Sequence, residues 1–222
     1  MIPWLAPDQP FPPVHRALRE PNGLLAAGGE LSTQRLLEAY RRGIFPWYSE
    51  GEPVLWWSPD PRMVLFPEEI SISRSLRKRL RNVHYEVRVD TCFHEVMHAC
   101  AMPREGQAGT WITDDIVSAY TALHAAGLAH SIETWIGGEL AGGLYGVSIG
   151  GAFFGESMFH HVRDASKIAL LGLVQHLRAQ KFALLDTQWL TPHLRKFGAI
   201  EIPRYEYLHL LNSAVDLSRN FL

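Results

Sequence analysis

Nine of the 14 prolines and four of the seven tryptophans fall within residues 1–60. This uneven distribution constrains the fold more than any other feature. Proline fixes φ and lacks a backbone donor, so the first 60 residues are limited to short elements joined by stiff turns. One helix is readable there, over 33–42 (TQRLLEAYRR). Leu36, Leu37, Ala39 and Tyr40 cluster on one side of it, and Gly43 supplies a left-handed stop. An aromatic, proline-rich loop follows, GIFPWYSEGEPVLWWSPDPR, in which Trp56-Trp57 are expected to pack the N-terminal part against the rest. From residue 61 the pattern changes to alternating strands and helices. The sequence therefore predicts a small Pro/Trp-rich domain over 1–60 and a larger one over 61–222, a division that suits a chain of 222 residues.

In the larger part, RMVLF (62–66) and HYEVRV (84–89) read as strands, with a basic helix over 71–81 between them. Asp90 is placed to cap a helix over 91–101. Thr113 is placed to cap one over 114–126, which Gly127 closes. Strands over 131–136 and 139–148 flank Gly137-Gly138, a hairpin turn signal. Gly150-Gly151 turns the chain again into AFFGESMF. Asp164 is then placed to cap ASKIALLGLVQHLRAQ. FALLD (182–186) is an apolar run of strand length and reads as a buried central strand, and helical pieces follow near 191–197 and 203–214. The order predicts an α+β (mixed α/β) class, a mixed sheet with helices packed on it.

Several function classes are excluded or disfavoured. The chain has no GxxxxGK[ST] and no GxGxxG after a strand. Cys92 and Cys100 lie eight apart with no CxxC spacing, which argues against a disulfide scaffold or a zinc site. His160-His161 are adjacent on a strand, where their side chains point to opposite faces and cannot easily share an ion. No apolar run approaches the roughly 18 residues of a membrane span, and no secretory signal is visible, so a cytoplasmic location is the default expectation. A monomer is the default for assembly.

Four features carry chemistry. The first is SISRSLRKRLR (71–81), with Arg74, Arg77, Lys78, Arg79 and Arg81 and no acid. The formal net charge of the chain is −2, so +5 in this segment leaves −7 elsewhere. Like charges at i, i+4 are mildly destabilising, and a phosphate backbone is one reason to keep them; a solvated helix face is the other reading. The second is Trp47 and Trp111, each in a loop of turn residues (FPW, GTW), where an aromatic either stacks on a nucleobase or plugs a core. The third is LLDTQW. Asp186 and Gln188 sit two apart at the carboxyl end of the buried strand, with side chains expected on one face, where ligand sites gather in open sheets. Asp186 could instead begin a turn and cap the next helix. The fourth is Glu156 in FFGESMF, a carboxylate in an apolar strand that needs a partner unless it faces outward.

Taken together, EPNGLLAAGGELS, RRGIFPWYSEGEPVLWWSPDPR, GTWIT, HSIETW, GESMF, ASKIALL and LLDTQWLTPHL resemble the leucyl/phenylalanyl-tRNA–protein transferase family, in order and over nearly the whole chain. The resemblance implies a small N-terminal domain plus a C-terminal domain resembling the GCN5-type N-acetyltransferase fold. It implies transfer of Leu or Phe (also Met) from aminoacyl-tRNA to proteins with an N-terminal Arg or Lys, marking them for degradation by the N-end rule pathway, with no metal and no dissociable cofactor. Carried over residue by residue, it makes Asp186 and Gln188 the catalytic pair and Glu156 a site carboxylate. Trp47 and Trp111 fall near the terminal adenosine, with Tyr40 close by. Phe153, Met158, Leu170, Leu173 and Leu185 line the apolar amino-acid pocket with Leu144 beside them. The helix over 74–81 meets the body of the tRNA, and Thr187 points away from the site.

The implied reaction is aminolysis of an ester, with Asp186 holding Gln188 and the Gln188 amide oxygen accepting a hydrogen from the attacking amine. Asp186 or the leaving ribose hydroxyl would receive the proton. Two rivals are weaker. A CoA-dependent N-acetyltransferase needs a glycine-rich pyrophosphate turn, which FHHVRDASKIA lacks. A non-catalytic tRNA-binding module leaves Glu156, Asp186 and Gln188 unexplained.

Overall fold

Two sheets organise the chain. A computed structural model describes residues 1–103, 110–189 and 191–222, so Gly109 of the GTW turn and Leu190 of LLDTQWL lie outside the described residues. The N-terminal part contributes β1 (Trp4–Leu5), β2 (Leu24–Gly28), α1 (Thr33–Arg41), β3 (Phe45–Pro46) and β4 (Leu55–Trp57), in a sheet ordered β1-β2-β4-β3. These strands are two to five residues long, as the proline density requires.

The larger part runs β5 (Arg62–Leu65), α2 (Arg74–Asn82), β6 (Glu86–Val89), α3 (Phe93–Ala101), α4 (Asp114–Ala125), β7 (Ala129–Ile136), β8 (Glu139–Ile149) and β9 (Ala152–His160). It ends with α5 (Ala165–Ala179), β10 (Leu184–Gln188), α6 (Pro192–Arg195), β11 (Ile200–Ile202) and α7 (Arg204–Val215). Its sheet is ordered β11-β5-β10-β9-β8-β7-β6, which bears out the mixed α/β class. Gly137 and Gly138 both have positive φ, as the two-residue turn between β7 and β8 demands. The strands of the N-terminal sheet and β11, which pairs with β5, were not legible in the sequence: they are too short to show a period.

Within the seven-stranded sheet β9 and β10 are the parallel pair, joined through α5 as a βαβ unit. Nine residues of α5 are buried around most of its circumference, because it packs on β7, β8 and β9 while crossing from one parallel strand to the next. Pairing of β9 with β10 joins Ala152–Phe154 to Leu184–Asp186. Past that point β9 continues beside β8, while β10 passes through a bulge between Asp186 and Gln188 toward β5. A gap therefore opens between the two parallel strands at Glu156 and Gln188, at their carboxyl ends, the place where open sheets hold ligands.

Three local expectations are corrected. Asp90 does not cap α3. Its backbone is left-handed (φ 54°), and its carboxylate instead accepts from the Ser131 N–H and bonds His130. The buried Glu133 carboxylate meets the start of α3, accepting from the Thr91 and Cys92 N–H groups. Asp164 stands at the N-cap of α5 but is also left-handed, at φ 69°, and its side chain pairs with Lys167 rather than capping. Trp56 stays inside the N-terminal part, donating to the Gly28 carbonyl and packing edge-on against Phe11. Trp57 meets the C-terminal part, through Trp189.

Candidate functional site

Asp186 is the most constrained polar residue of the site. It is completely buried, at 0% exposure, in strand β10. Arg62, the first residue of β5, clamps it with Nε to Oδ1 at 2.9 Å and Nη2 to Oδ2 at 2.7 Å. Tyr207 of α7 donates to Oδ2 at 2.7 Å. Arg62 also lies over the rings of Phe45 and Tyr207, 4.7 and 4.6 Å from their centroids, and donates to the Gly43 carbonyl. Burial alone would lower the Arg62 pKa, but Asp186 outweighs it and holds the guanidinium charged. Gly43 makes this possible: its φ is +70°, and a Cβ there would meet the Tyr207 ring at 2.7 Å. A fully paired, fully hydrogen-bonded ion pair of this kind is tolerated inside a protein, whereas half of it is not.

The expected side-by-side arrangement of Asp186 and Gln188 is replaced by a different one. The bulge and a left-handed Gln188 (φ 64°) break the period-2 alternation. Asp186 Oδ1 accepts from the Gln188 backbone N–H at 2.9 Å, so it fixes the strained turn rather than the amide side chain. A left-handed non-glycine residue costs about 1–3 kcal/mol and persists only where its surroundings over-determine it. The Gln188 amide points elsewhere: Nε2 donates to Glu156 Oε1 at 2.8 Å. Thr187, between them, points away and donates to the Met63 carbonyl. The capping alternative for Asp186 also fails, since Thr191 caps α6.

Glu156 gathers the site. Besides Gln188 it accepts from Tyr40 of α1 at 2.8 Å and from Tyr120 of α4 at 3.3 Å, and the two tyrosine hydroxyls bond to each other. Burial lifts the Glu156 carboxyl from 4.5 to about 7; the Tyr40 hydrogen bond opposes that rise and the Asp186 charge adds to it. Burial and then the Glu156 charge push both phenols well above their usual range, so they act as donors. Since the Gln188 amide gives its Nε2 hydrogen to a carboxylate, its Oε1 is polarised and is the acceptor the pair can offer to a substrate.

Apolar and aromatic residues flank this polar centre. Leu144, Phe153, Leu170, Leu173 and Leu185 are all buried in one cluster, with the half-buried Met158 packed against it. On the other side, Phe45, Trp47, Trp57 and Trp189 meet edge to face at centroid distances of 4.9 to 5.6 Å. Trp47 keeps 41% of its surface exposed, so it has a face to offer. Trp111 is half-buried against the larger core. In α2, Arg74, Arg77, Lys78 and Arg81 are exposed and Arg79 is half-buried, while Leu76 anchors the helix.

Sequence reasoning missed Arg62, Tyr120, Tyr207 and Trp189. An arginine opening the apolar run RMVLF was the available signal for Arg62. The two tyrosines sit among apolar helix residues and read there as core.

The family model "Leucyl/phenylalanyl-tRNA protein transferase" matches residues 64–212, and the model of its N-terminal domain matches 29–60. A leucyl/phenylalanyl-tRNA–protein transferase of Chromobacterium violaceum is 61% identical over 97% of this chain and 92% of its own. One of Nitrosomonas europaea is 62% identical over 96% and 90%. Among solved structures, an aminoglycoside N-acetyltransferase in complex with CoA overlaps 63% of this chain and 91% of that one, with a TM-score of 0.34 and 15% identity. The assignment rests on the sequence matches, which cover both parts of the molecule: the chain belongs to the leucyl/phenylalanyl-tRNA–protein transferase family.

Proposed function

We propose that the chain transfers an apolar amino acid, Leu or Phe and also Met, from aminoacyl-tRNA to the α-amino group of proteins that begin with Arg or Lys, creating an N-end rule degradation signal. What carries this reading is the Glu156–Gln188 pair, held at 2.8 Å where the parallel strands part, between an apolar cluster and a partly exposed tryptophan. The aminoacyl side chain is received by the cluster of Leu144, Phe153, Leu170, Leu173 and Leu185, entered past Met158, whose unbranched side chain adapts to differing shapes. A β-branched side chain fits this cluster poorly in shape. Trp47 and Trp111 stack the terminal adenosine, and Arg74, Arg77, Lys78, Arg79 and Arg81 meet tRNA phosphates.

The chemistry follows from the geometry. The α-amine, with a pKa near 8, is partly neutral at pH 7 and attacks the ester carbonyl carbon. Gln188 Oε1 accepts one of its hydrogens and orients the lone pair. The Glu156 charge strengthens that acceptor through Nε2 and attracts the cationic acceptor terminus. A C–N bond forms, the ester C–O bond breaks, and the amine proton ends on the ribose oxygen. The ester is already activated, so positioning supplies much of the acceleration. Asp186 is neutralised by Arg62 and acts as a positioning residue, holding the Gln188 turn.

Transfer of labelled Phe from Phe-tRNA to a protein beginning with Arg tests the proposal. Gln188→Ala is expected to lower kcat at least about a hundredfold, the lower end for an acid–base or orienting group. Wild-type transfer rates in Gln188→Ala, with the donor saturating, would sink the assignment of Gln188.

A further inference from the structure

A second cavity lies past the carboxyl ends of the same parallel strands. It is a cleft of about 590 Å³ between α2, the start of α5 and α6. Lys78, Arg79, Arg163, Lys167, His193 and Lys196 line it, and Asp164 is the one carboxylate among its lining residues. The wall thus carries a net charge of +4 with His193 neutral. Asp164 is already engaged, by Lys167 at 2.5 Å and Arg163 at 3.7 Å. Among the described residues, Lys78, Arg79 and Lys196 have no carboxylate within salt-bridge distance. Ser71, Ser73 and Ser75 add hydroxyls to the rim. Gathering cations from three separate segments against mutual repulsion costs stability unless an anion joins them.

The cleft also divides the basic helix. Lys78 and Arg79 face it, whereas Arg74, Arg77 and Arg81 are not among its lining residues. One wall is therefore α2, and the opposite wall is made of residues that no periodicity ties to it. The cations are predominantly exposed at the rim, as suits a chain of phosphates that enters and leaves. Both α5 and α6 begin just after β9 and β10, the strands whose ends hold Glu156 and Gln188. A strand whose 3′ end reaches Gln188 would cross this end of the sheet.

We propose that this cleft is a phosphodiester site for the donor tRNA, in which Arg163, Lys167 and Lys196 face Lys78 and Arg79 across the nucleic-acid backbone. The inference rests on the reading of the donor as aminoacyl-tRNA and adds the second wall of its binding surface. The three ammonium groups serve here as point charges, and the guanidinium groups of Arg79 and Arg163 as fork donors, for phosphate rather than as readers of bases, so the contribution is independent of tRNA sequence.

The test uses the full chain with Arg163→Glu and Lys196→Glu, singly and together, and Lys196→Gln as a milder variant. Binding of Phe-tRNA is measured by fluorescence anisotropy across a salt series, and transfer is measured with Phe-tRNA and with the minimal donor phenylalanyl-adenosine. The expected result is weaker tRNA binding, a salt slope reduced by about one per lost contact, and a raised KM for Phe-tRNA, with kcat for phenylalanyl-adenosine unchanged. Unchanged tRNA affinity and salt slope in the double variant would overturn the cleft while leaving the transferase reading intact. Equal losses with both donors, with circular dichroism showing a folded protein, would overturn it too, because the cleft would then act on the chemistry. Absence of transfer by the wild-type chain from either donor, with tRNA binding still sensitive to the cleft variants, would overturn the transferase reading and keep the cleft.

Discussion

At the scale of the residue, Glu156 joins pH to both activity and stability. Its carboxyl titrates near 7 in the folded chain because burial penalises the charge. In the unfolded chain it titrates near 4.5. The folded state therefore holds the extra proton between these values, and folding stability falls as pH rises from about 4.5 to 7. Glu156→Gln is expected to remove that decline, so its stability should exceed that of the wild type above pH 7, as urea denaturation across pH would show. In transfer assays the wild type should gain kcat/KM through the Glu156 titration and again through that of the α-amine, whereas Glu156→Gln should keep the amine limb only. An identical pH profile for both proteins would remove Glu156 from the reaction. The sequence marked Glu156, Gln188 and Asp186 as site residues on chemical grounds. It did not mark the tyrosines Tyr40 and Tyr120 as partners of Glu156, since they lie 116 and 36 positions away from it and a buried phenol looks in sequence like any core aromatic.

At the scale of the element, β5 and β10 carry the argument. Their antiparallel pairing puts Arg62 against Asp186, and the bulge that follows turns Gln188 toward Glu156. Arg62→Ala would leave the Asp186 carboxylate buried without its counter-ion, at a cost of about 3–5 kcal/mol. Tyr207→Phe removes one hydrogen bond to a charged group, about 1.5–3 kcal/mol. Urea denaturation of both variants checks the order, and an Arg62→Ala protein as stable as the wild type would contradict the clamp. Most elements were legible beforehand because their signals are local: the 3.6 period and Gly43 stop of α1, the Thr113 cap of α4, and the glycine pair between β7 and β8. The failures at Asp90 and Asp164 have one cause. Each aspartate has the right type and place for a cap, but its carboxylate is taken by other partners: His130 and the Ser131 N–H, some 40 positions on, for Asp90, and Lys167, three positions on, for Asp164.

At the scale of the whole molecule, distant segments close the structure. Phe221, 2% exposed and the penultimate residue, stacks on His130 and on Phe153, and packs edge-on against Phe182. Its carbonyl accepts from His176. It supports from behind a ring assigned to the amino-acid pocket. Phe221→Ala should cost about 3–5 kcal/mol and lower Tm by roughly 10 °C, which calorimetry would detect; an unchanged Tm would mean that the tail contributes nothing. The sequence by itself determined the Pro/Trp-rich start, the alternating elements after it, the chemically marked residues and the family, because each is written in local composition, period or motif. Only the tertiary structure decided that Asp186 is spent on Arg62, that Glu156 rather than Asp186 holds the Gln188 amide, and that cations from residues 78–79, 163–167 and 196 share one cleft. The order of strands in a sheet brings residues more than 100 positions apart into hydrogen-bonding range, and no local pattern encodes that order.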